Sequence, residues 1–300
     1  MNTVSAVITA PRGIKSFVYL DDLTAQADAC RLEIVVVDGS ADYVDCSRPN
    51  LRHISKPGAS IQGLITEGLV RATGEWILVT EHHARPLPGI LAAYSEAVGA
   101  NPGIDLFSGE AENLTSISPW AFANFLIGLG DFWPSAHPQP NTASNANLLV
   151  RRSAILPSEL ALEGGFLYLT IPRLVAAGRH RHCAGAVVDH VLPLSFSEAF
   201  AFQYHCAATG TASRRDTVPR RPAPVQALRD GLAFVQFSVV APCRLMSSLY
   251  GTPHFRGRTV LRVALLGLAT AAGVLSADIK SFRRGWCTGG RLEAPPTAST

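Results

Sequence analysis

The chain has 300 residues, 47% of them hydrophobic and 16% charged, which is ample for one large α/β domain with a packed core. Its six cysteines, at positions 30, 46, 183, 206, 243 and 287, form no CxxC pair, which argues against a disulfide framework or a zinc site and for reduced thiols. The formal charge of +3 is uneven: residues 1–200 carry 13 Lys+Arg against 19 Asp+Glu, a net of −6, and residues 201–300 carry 13 against 4, a net of +9.

Met1–Ala10 lacks a basic start and a long apolar run, so it reads as an opening strand over Val4–Thr9 rather than a signal peptide, and a cytoplasmic location is expected. Pro11-Arg-Gly13 breaks the chain, and a helical stretch follows to about Asp28. Glu33-Ile-Val-Val-Val-Asp38 is a β-branched run ending in Asp-Gly-Ser, as in a parallel strand covered on both faces. Ser60–Thr73 carries Ile61, Leu64, Ile65 and Leu69 at helical spacing and stops at Gly74, before a third strand at Trp76–Thr80. Pro88-Gly89 open a helix that stops at Gly99, and a strand is expected over Ile104–Ser108. Alternating strands and helices predict a mostly parallel, Rossmann-like sheet flanked by helices.

A helix rich in Trp, Phe and Leu then spans Pro119–Gly130, and a loop over 131–145 is long enough to cover a ligand. Order resumes at Asn147–Arg152, with a helix over Phe166–Ala177 and a strand over Ala184–Asp189. We place the α/β domain at 1–212, a Pro/Arg-rich linker at 213–226, an apolar helical tail at 227–287 and a disordered terminus at 288–300. The tail's apolar stretches, Leu232–Cys243 and Val263–Ala277, fall short of the roughly 20 residues that span a bilayer. With its positive charge, the tail is expected to lie on an anionic membrane surface as an interfacial hairpin; a core-packed helix pair is the alternative. Its arginines are separated by apolar runs rather than interleaved with aromatics, so nucleic acid is not the expected partner.

Ligands of an open α/β sheet bind beyond the carboxyl ends of its strands, which draws attention to Thr9, Asp38, Glu81, His82, His83 and His190. Asp38 is also good turn chemistry. Thr80-Glu-His-His83 offers a carboxylate and two imidazoles, ligands for Mn2+ or Mg2+.

In order, Val4–Thr9, Glu33–Ser40, Gly68 with Ala72–Glu75, Thr80–Pro86, Gly109–Asn113, Asn147–Ser153, Arg173–Gly178 and Val187–His190 resemble glycosyltransferase family 2 over about 200 residues. The resemblance implies a GT-A fold that moves a sugar from a nucleoside-diphosphate sugar to a glycan or lipid-linked acceptor, usually with inversion, as in polysaccharide biosynthesis. Thr9, Asp38, Gly39 and Glu81 would then hold the nucleotide sugar. Glu81, His83 and His190 would hold a divalent cation, Mn2+ or Mg2+. The family's catalytic acid is expected where Phe166-Leu167 stand, and the nearest carboxylate is Glu163, with Glu110 or Glu112 as alternatives. His82 stands where the nearest relatives have Asp. These departures keep a second reading open, a weakened or non-catalytic binding or scaffold protein on the same fold. A Rossmann oxidoreductase or methyltransferase lacks its G-x-G-x-x-G, since Ala10-Pro-Arg-Gly13 follows the first strand.

Overall fold

A computed structural model of the chain describes residues 1, 3–11, 18–26, 31–40, 50–113, 118–134, 141–192, 194–218 and 257–287. The apolar stretch 232–243, the linker from 219 and the last 13 residues, 288–300, lie outside the described residues.

Eight strands form one sheet: β1 (Thr3–Ala10), β2 (Arg31–Asp38), β3 (Leu51–Ser55), β4 (Trp76–Glu81), β5 (Ala84–Pro86), β6 (Leu106–Glu112), β7 (Asn147–Arg151) and β8 (His180–His190). Their order is β3-β2-β1-β4-β7-β6-β8-β5. β1, β2, β3 and β4 pair in parallel, as do β6 and β8, while β7 is antiparallel to both β4 and β6, and β5 is antiparallel to β8. The sheet is therefore mixed: the parallel direction expected from the alternation holds for most strands, and β7 is wedged between β4 and β6 against it. Because β6 runs with β4, both end at the same edge, beside β1, β2 and β8. That shared carboxyl edge is where the chemistry gathers.

The strands with the clearest sequence signal are central ones. β2 carries Ile34, Val35, Val36 and Val37 all buried, so both its faces need apolar residues and no alternation results. β3 and β5 carry no such signal, because each is a short edge strand with one neighbour; Leu51–Ser55 is half exposed along its length.

Helices cover both faces. α2 (Ile61–Arg71) packs Leu64, Ile65 and Leu69 against Val7, Val35 and Val37 on one side. Its N-cap is Ser60, whose hydroxyl accepts from the Gly63 N–H. Gly68 allows this approach, since a Cβ there would stand 2.2 Å from Val7 Cγ1. The other face holds α1 (Val18–Thr24), α3 (Ile90–Ala100) and α4 (Pro119–Leu129), burying Leu20, Leu23, Ile90, Leu91, Phe125 and Leu126.

After the short α5 (Pro157–Leu160), the expected helix over Phe166–Ala177 splits into a π-turn, Phe166–Thr170, and α6 (Ile171–Ala176). Pro172 has no N–H to donate, and the Ile171 N–H reaches back five residues to the Phe166 carbonyl. Between these turns Arg173 grips Glu159 in bidentate fashion, Nε to Oε1 and Nη2 to Oε2 both at 2.8 Å, and the Thr170 hydroxyl donates to Oε2 at 2.6 Å. The hydrogen bond from Arg173, opposed by burial and helped by Thr170, holds the Glu159 carboxyl below its usual range. Since the folded value lies below the unfolded one, this stabilisation is complete above the ordinary value of 4.5 and drains away as pH falls through the folded value. Glu159→Gln is expected to cost about 2 kcal/mol near neutrality. Melting curves between roughly pH 3 and pH 7 should show wild type and variant converging at the acid end.

α7 (Phe196–Thr217) starts at a capping box, Ser195 with Glu198, and runs past the predicted domain boundary at 212, so that residues 213–217 are helix rather than linker. α8 (Gly257–Cys287) contains the second apolar stretch. It packs along α7 and α4 with Val263, Leu266, Ala269, Thr270 and Val274 buried. The Thr270 hydroxyl donates to Gln203, and Gln203 donates to Asn124, linking the three helices. Gly273 sits where a Cβ would be 2.3 Å from the Tyr204 carbonyl oxygen, so α8 approaches the backbone of α7 closely. Protein, not lipid, covers this face of the stretch. Among the described residues, no helix is long and apolar enough to cross a membrane.

Candidate active site at the carboxyl edge of the sheet

The exits of the parallel strands are sewn together by backbone hydrogen bonds: Gly39 N to Ala10 O, Lys56 N to Asp38 O, Gly58 N to Gly39 O and His82 N to Thr9 O. Thr9 is buried under this seam, with its hydroxyl 3.4 Å from the Thr80 carbonyl. Asp38, 1% exposed, accepts from the Ser40 N–H through Oδ1, which is the turn role that Asp-Gly-Ser suggests. Its second oxygen, Oδ2, is buried 3.5 Å from Nε2 of His53 on β3 and accepts no hydrogen bond. Gly39 lies against Pro11, whose carbonyl oxygen would be 3.0 Å from a Cβ. Thr9, Asp38 and Gly39 thus share one edge with β4.

At the end of β4, Glu81 meets two histidines, one of them far away in the chain. Glu81 Oε2 lies 3.1 Å from His83 Nε2 and 3.2 Å from His190 Nε2, and the two imidazole nitrogens are 2.9 Å apart. One ligand atom from each residue falls within a single group able to hold a metal ion. Asn145 donates to the other carboxylate oxygen, Oε1, at 2.6 Å. Burial alone would raise the Glu81 pKa, yet the charge of His83 and a hydrogen bond from His190 outweigh it and hold the carboxyl well below its usual range. The carboxylate is therefore anionic. His190 is pushed below the ordinary imidazole value, first by burial and then by His83. A neutral His190 imidazole beside the Glu81 carboxylate anion is a pairing that metal ligation requires.

His82, in the same segment, lies edge-on beside His83, with the two Nδ1 atoms 3.4 Å apart, but contributes no ligand atom to the group. Its Nδ1 lies 3.2 Å from the Thr9 carbonyl, and burial followed by the His83 charge lowers its pKa to about 4. It also lines a small pocket whose other walls include the apolar Ile8, Leu23, Leu78 and Ile90.

The three carboxylates considered for catalysis separate clearly. Glu163 accepts a hydrogen bond from the Ser60 hydroxyl and sits over Gly63 in the first turn of α2. Glu110 is not free to face an acceptor: its Oε2 accepts from the Gly185 N–H at 2.9 Å and its Oε1 lies 3.4 Å from His182, within the β6–β8 irregularity. Glu112 ends β6, paired in register with Asp189, the residue before His190. Burial, then the charges of Glu110 and Asp189, raise its pKa from the ordinary carboxylate value. Two further residues, absent from the sequence-based candidates, buttress the cluster: Asn145, and Asn113, whose Nδ2 donates to the His190 carbonyl at 2.7 Å. Nothing in the local pattern of an Asn in a loop marks either one, although Asn113 closes one segment that carries the resemblance and Asn145 stands just ahead of another.

No protein-family model matches the chain, and no curated protein does either. Solved structures similar to it include a mannosyltransferase from Pyrobaculum calidifontis in complex with GDP-Man and Mn2+, 15% identical, covering 93% of this chain and 86% of that one, with a TM-score of 0.48. A glucosyl-3-phosphoglycerate synthase from Mycobacterium tuberculosis, in complex with Mn2+, UDP-glucose and phosphoglyceric acid, is 14% identical over 73% of this chain and 81% of that one, with a TM-score of 0.45. A mannosyl-3-phosphoglycerate synthase from Rubrobacter xylanophilus is 15% identical over 74% and 78%, with a TM-score of 0.43.

Proposed function

We propose that the chain is a GT-A-type glycosyltransferase that takes a nucleoside-diphosphate sugar as donor and uses a divalent cation held by Glu81, His83 and His190. The observation that carries the reading is the convergence of those three side chains at the same sheet edge as Asp38 and Gly39. The ordered resemblance of eight segments supports it. A bound cation would supply charge to offset the developing negative charge on the diphosphate leaving group.

The chain's own residues account for the rest. Asp38 presents a buried carboxylate oxygen at the β2 exit that accepts no hydrogen bond, though it lies 3.5 Å from His53 Nε2, and it is suited to an N–H or hydroxyl of the nucleoside. Gly39 beside it is packed against Pro11 and Leu64, where a Cβ would be crowded. In an inverting displacement, the acceptor oxygen forms a bond to the anomeric carbon as the bond to the diphosphate oxygen breaks, and the acceptor proton passes to a base. Glu163 is already engaged, its carboxylate accepting from the Ser60 hydroxyl at the first turn of α2. Glu112 is better suited, since its environment raises its proton affinity.

Glu112→Gln is expected to lower kcat by about 10²–10⁴-fold while leaving donor binding intact, with Glu163→Gln much milder. The test pairs a thermal-shift screen of UDP-, GDP- and dTDP-sugars, with and without divalent cation, with transfer to a membrane lipid extract. If no donor raises the melting temperature and none is consumed, the transferase reading fails. If donors bind, none turns over, and Glu81→Ala and Glu163→Ala both leave that binding unchanged, the non-catalytic alternative takes its place.

A glycan or lipid-linked acceptor and a cytoplasmic membrane surface remain part of this proposal. Their support is the basic C-terminal third, together with Phe196 and Phe200 on α7 and Leu261 and Leu268 on α8, all exposed, near Arg258 and Arg262. Arg262 stacks over Trp120, which in turn contacts Phe196. Co-sedimentation with anionic but not neutral vesicles is the corresponding measurement.

A further inference from the structure

We infer that the Glu81–His83–His190 site selects a first-row transition-metal dication that favours imidazole, with Zn2+ or Co2+ bound ahead of Mn2+ and Mg2+ refused. This rests on the cluster being a metal site, as above, and goes further by naming the ion from the donor set. Two of the three donors are imidazole nitrogens, and one is a carboxylate oxygen. Mg2+ demands oxygen ligands and keeps much of its water, so a site with two nitrogens offers it little. Imidazole instead suits zinc, cobalt and nickel, and affinity at such sites rises from manganese through cobalt. The missing CxxC pairs argue only against a thiolate zinc site; folding assembles an imidazole one from positions 81, 83 and 190.

The spacing agrees. Ligand atoms here are 2.9, 3.1 and 3.2 Å apart. Bonds of about 2.1 Å in octahedral geometry put neighbouring ligands ~3.0 Å apart, and tetrahedral bonds of about 2.05 Å put them ~3.3 Å apart. Both are reached by shifts of a few tenths of an ångström. Ca2+, with bonds of roughly 2.3–2.6 Å, needs ligands roughly 3.3–3.7 Å apart in the octahedral case and prefers more oxygens. Asn145 sharpens the choice, because its hold on Oε1 leaves Oε2 as the one oxygen that faces the histidines. A bidentate carboxylate, the usual resource of large oxygen-seeking ions, is not on offer. Three protein donors are also the number found at catalytic rather than structural zinc sites.

The experiment uses the full chain stripped with chelator, no sugar nucleotide, and separate calorimetric titrations with Zn2+, Co2+, Mn2+ and Mg2+. The expected result is one strong site, Zn2+ or Co2+ at least about 100-fold tighter than Mn2+, no Mg2+ binding at millimolar concentration, and visible absorption bands when Co2+ is added. Glu81→Gln should remove the strong site, and Asn145→Ala should weaken it by about 10–100-fold; circular dichroism checks that both are folded. Mg2+ binding as well as Zn2+, no dication binding at all, or Zn2+ binding unchanged in both variants would overturn the inference. A Zn2+ site in a protein that ignores every nucleotide sugar keeps the inference and removes the transferase reading. A donor-induced thermal shift that needs Mg2+ does the reverse.

Discussion

Glu81→Gln should lower donor turnover by about 10³-fold while lowering the melting temperature of the metal-free protein less than the loss of a core residue would. The substitution keeps the shape of the side chain and its hydrogen bond from Asn145 within reach, but removes the negative charge on which His83 and His190 converge. A metal-bound leaving group is stabilised by several kcal/mol of charge interaction, and about 4 kcal/mol corresponds to that factor in rate. Some stability is lost as well, because the histidines favour the Glu81 charge by more than burial opposes it, so neutralising it removes a net benefit near neutral pH. Asn145→Ala is the graded companion, keeping all three ligands and losing the group that orients one. Turnover that survives Glu81→Gln at the wild-type level would rule out this cluster as the site of donor activation.

The largest loss of stability is expected from Asn147→Leu, about 4 kcal/mol, seen as a melting temperature lower by roughly 10 °C. Asn147 opens β7 and is 1% exposed. Its Oδ1 accepts from the Tyr94 hydroxyl at 2.7 Å, and its Nδ2 donates to the carbonyls of Glu110 and Ala186 at 2.8 and 2.7 Å. Leucine nearly matches asparagine in size and takes a hydrogen-bond partner from three buried polar groups, at on the order of 1–3 kcal/mol for each left unsatisfied. Gly109 belongs to the same knot, since a Cβ there would stand 2.3 Å from Asn147 Nδ2 and 2.5 Å from the Tyr94 oxygen. Tyr94→Phe, which removes one bond and leaves the amide in place, should cost only about 1 kcal/mol. The knot ties β7 to β6 and β8, and β7 pairs with β4, so it also sets the distance between Glu81 and His190. Metal affinity should therefore fall in Asn147→Leu even under conditions where the variant is folded.

Much of the site is legible in the sequence because it lies at strand ends that announce themselves. Val4–Thr9, Glu33–Asp38 and Trp76–Thr80 are buried runs, and the polar residues that follow them must lie at one edge if the strands are parallel. His190 is on the same strand-end list, and the resemblance adds its place beside the cation, since no local pattern connects it to a residue 109 positions earlier. The carboxylates are another matter. Glu110 has the look of an available base because it follows a predicted strand at Ile104–Ser108, but β6 continues to Glu112 and Glu110 is absorbed by the backbone of Gly185. Glu159 carries no mark in the sequence, yet it forms a bidentate pair near the α6 turn, since its partner Arg173 is 14 residues away.

What the sequence determined by itself was the series of elements and the identity of the residues that end them, because hydrophobic period, cap and breaker act over a few positions along the chain. The direction of β7, the edge strands β3 and β5, the burial of one face of α8 and the fate of each glutamate were decided only by tertiary structure. Each depends on which neighbour fills a given space or answers a given polar group, and those neighbours stand far apart along the chain. The metal cluster shows both sides of this. Its three ligand types are written at positions 81, 83 and 190, while the 2.9–3.2 Å separations that make them one site exist only because β8 is held beside β6 and β5, at the edge where β4 ends.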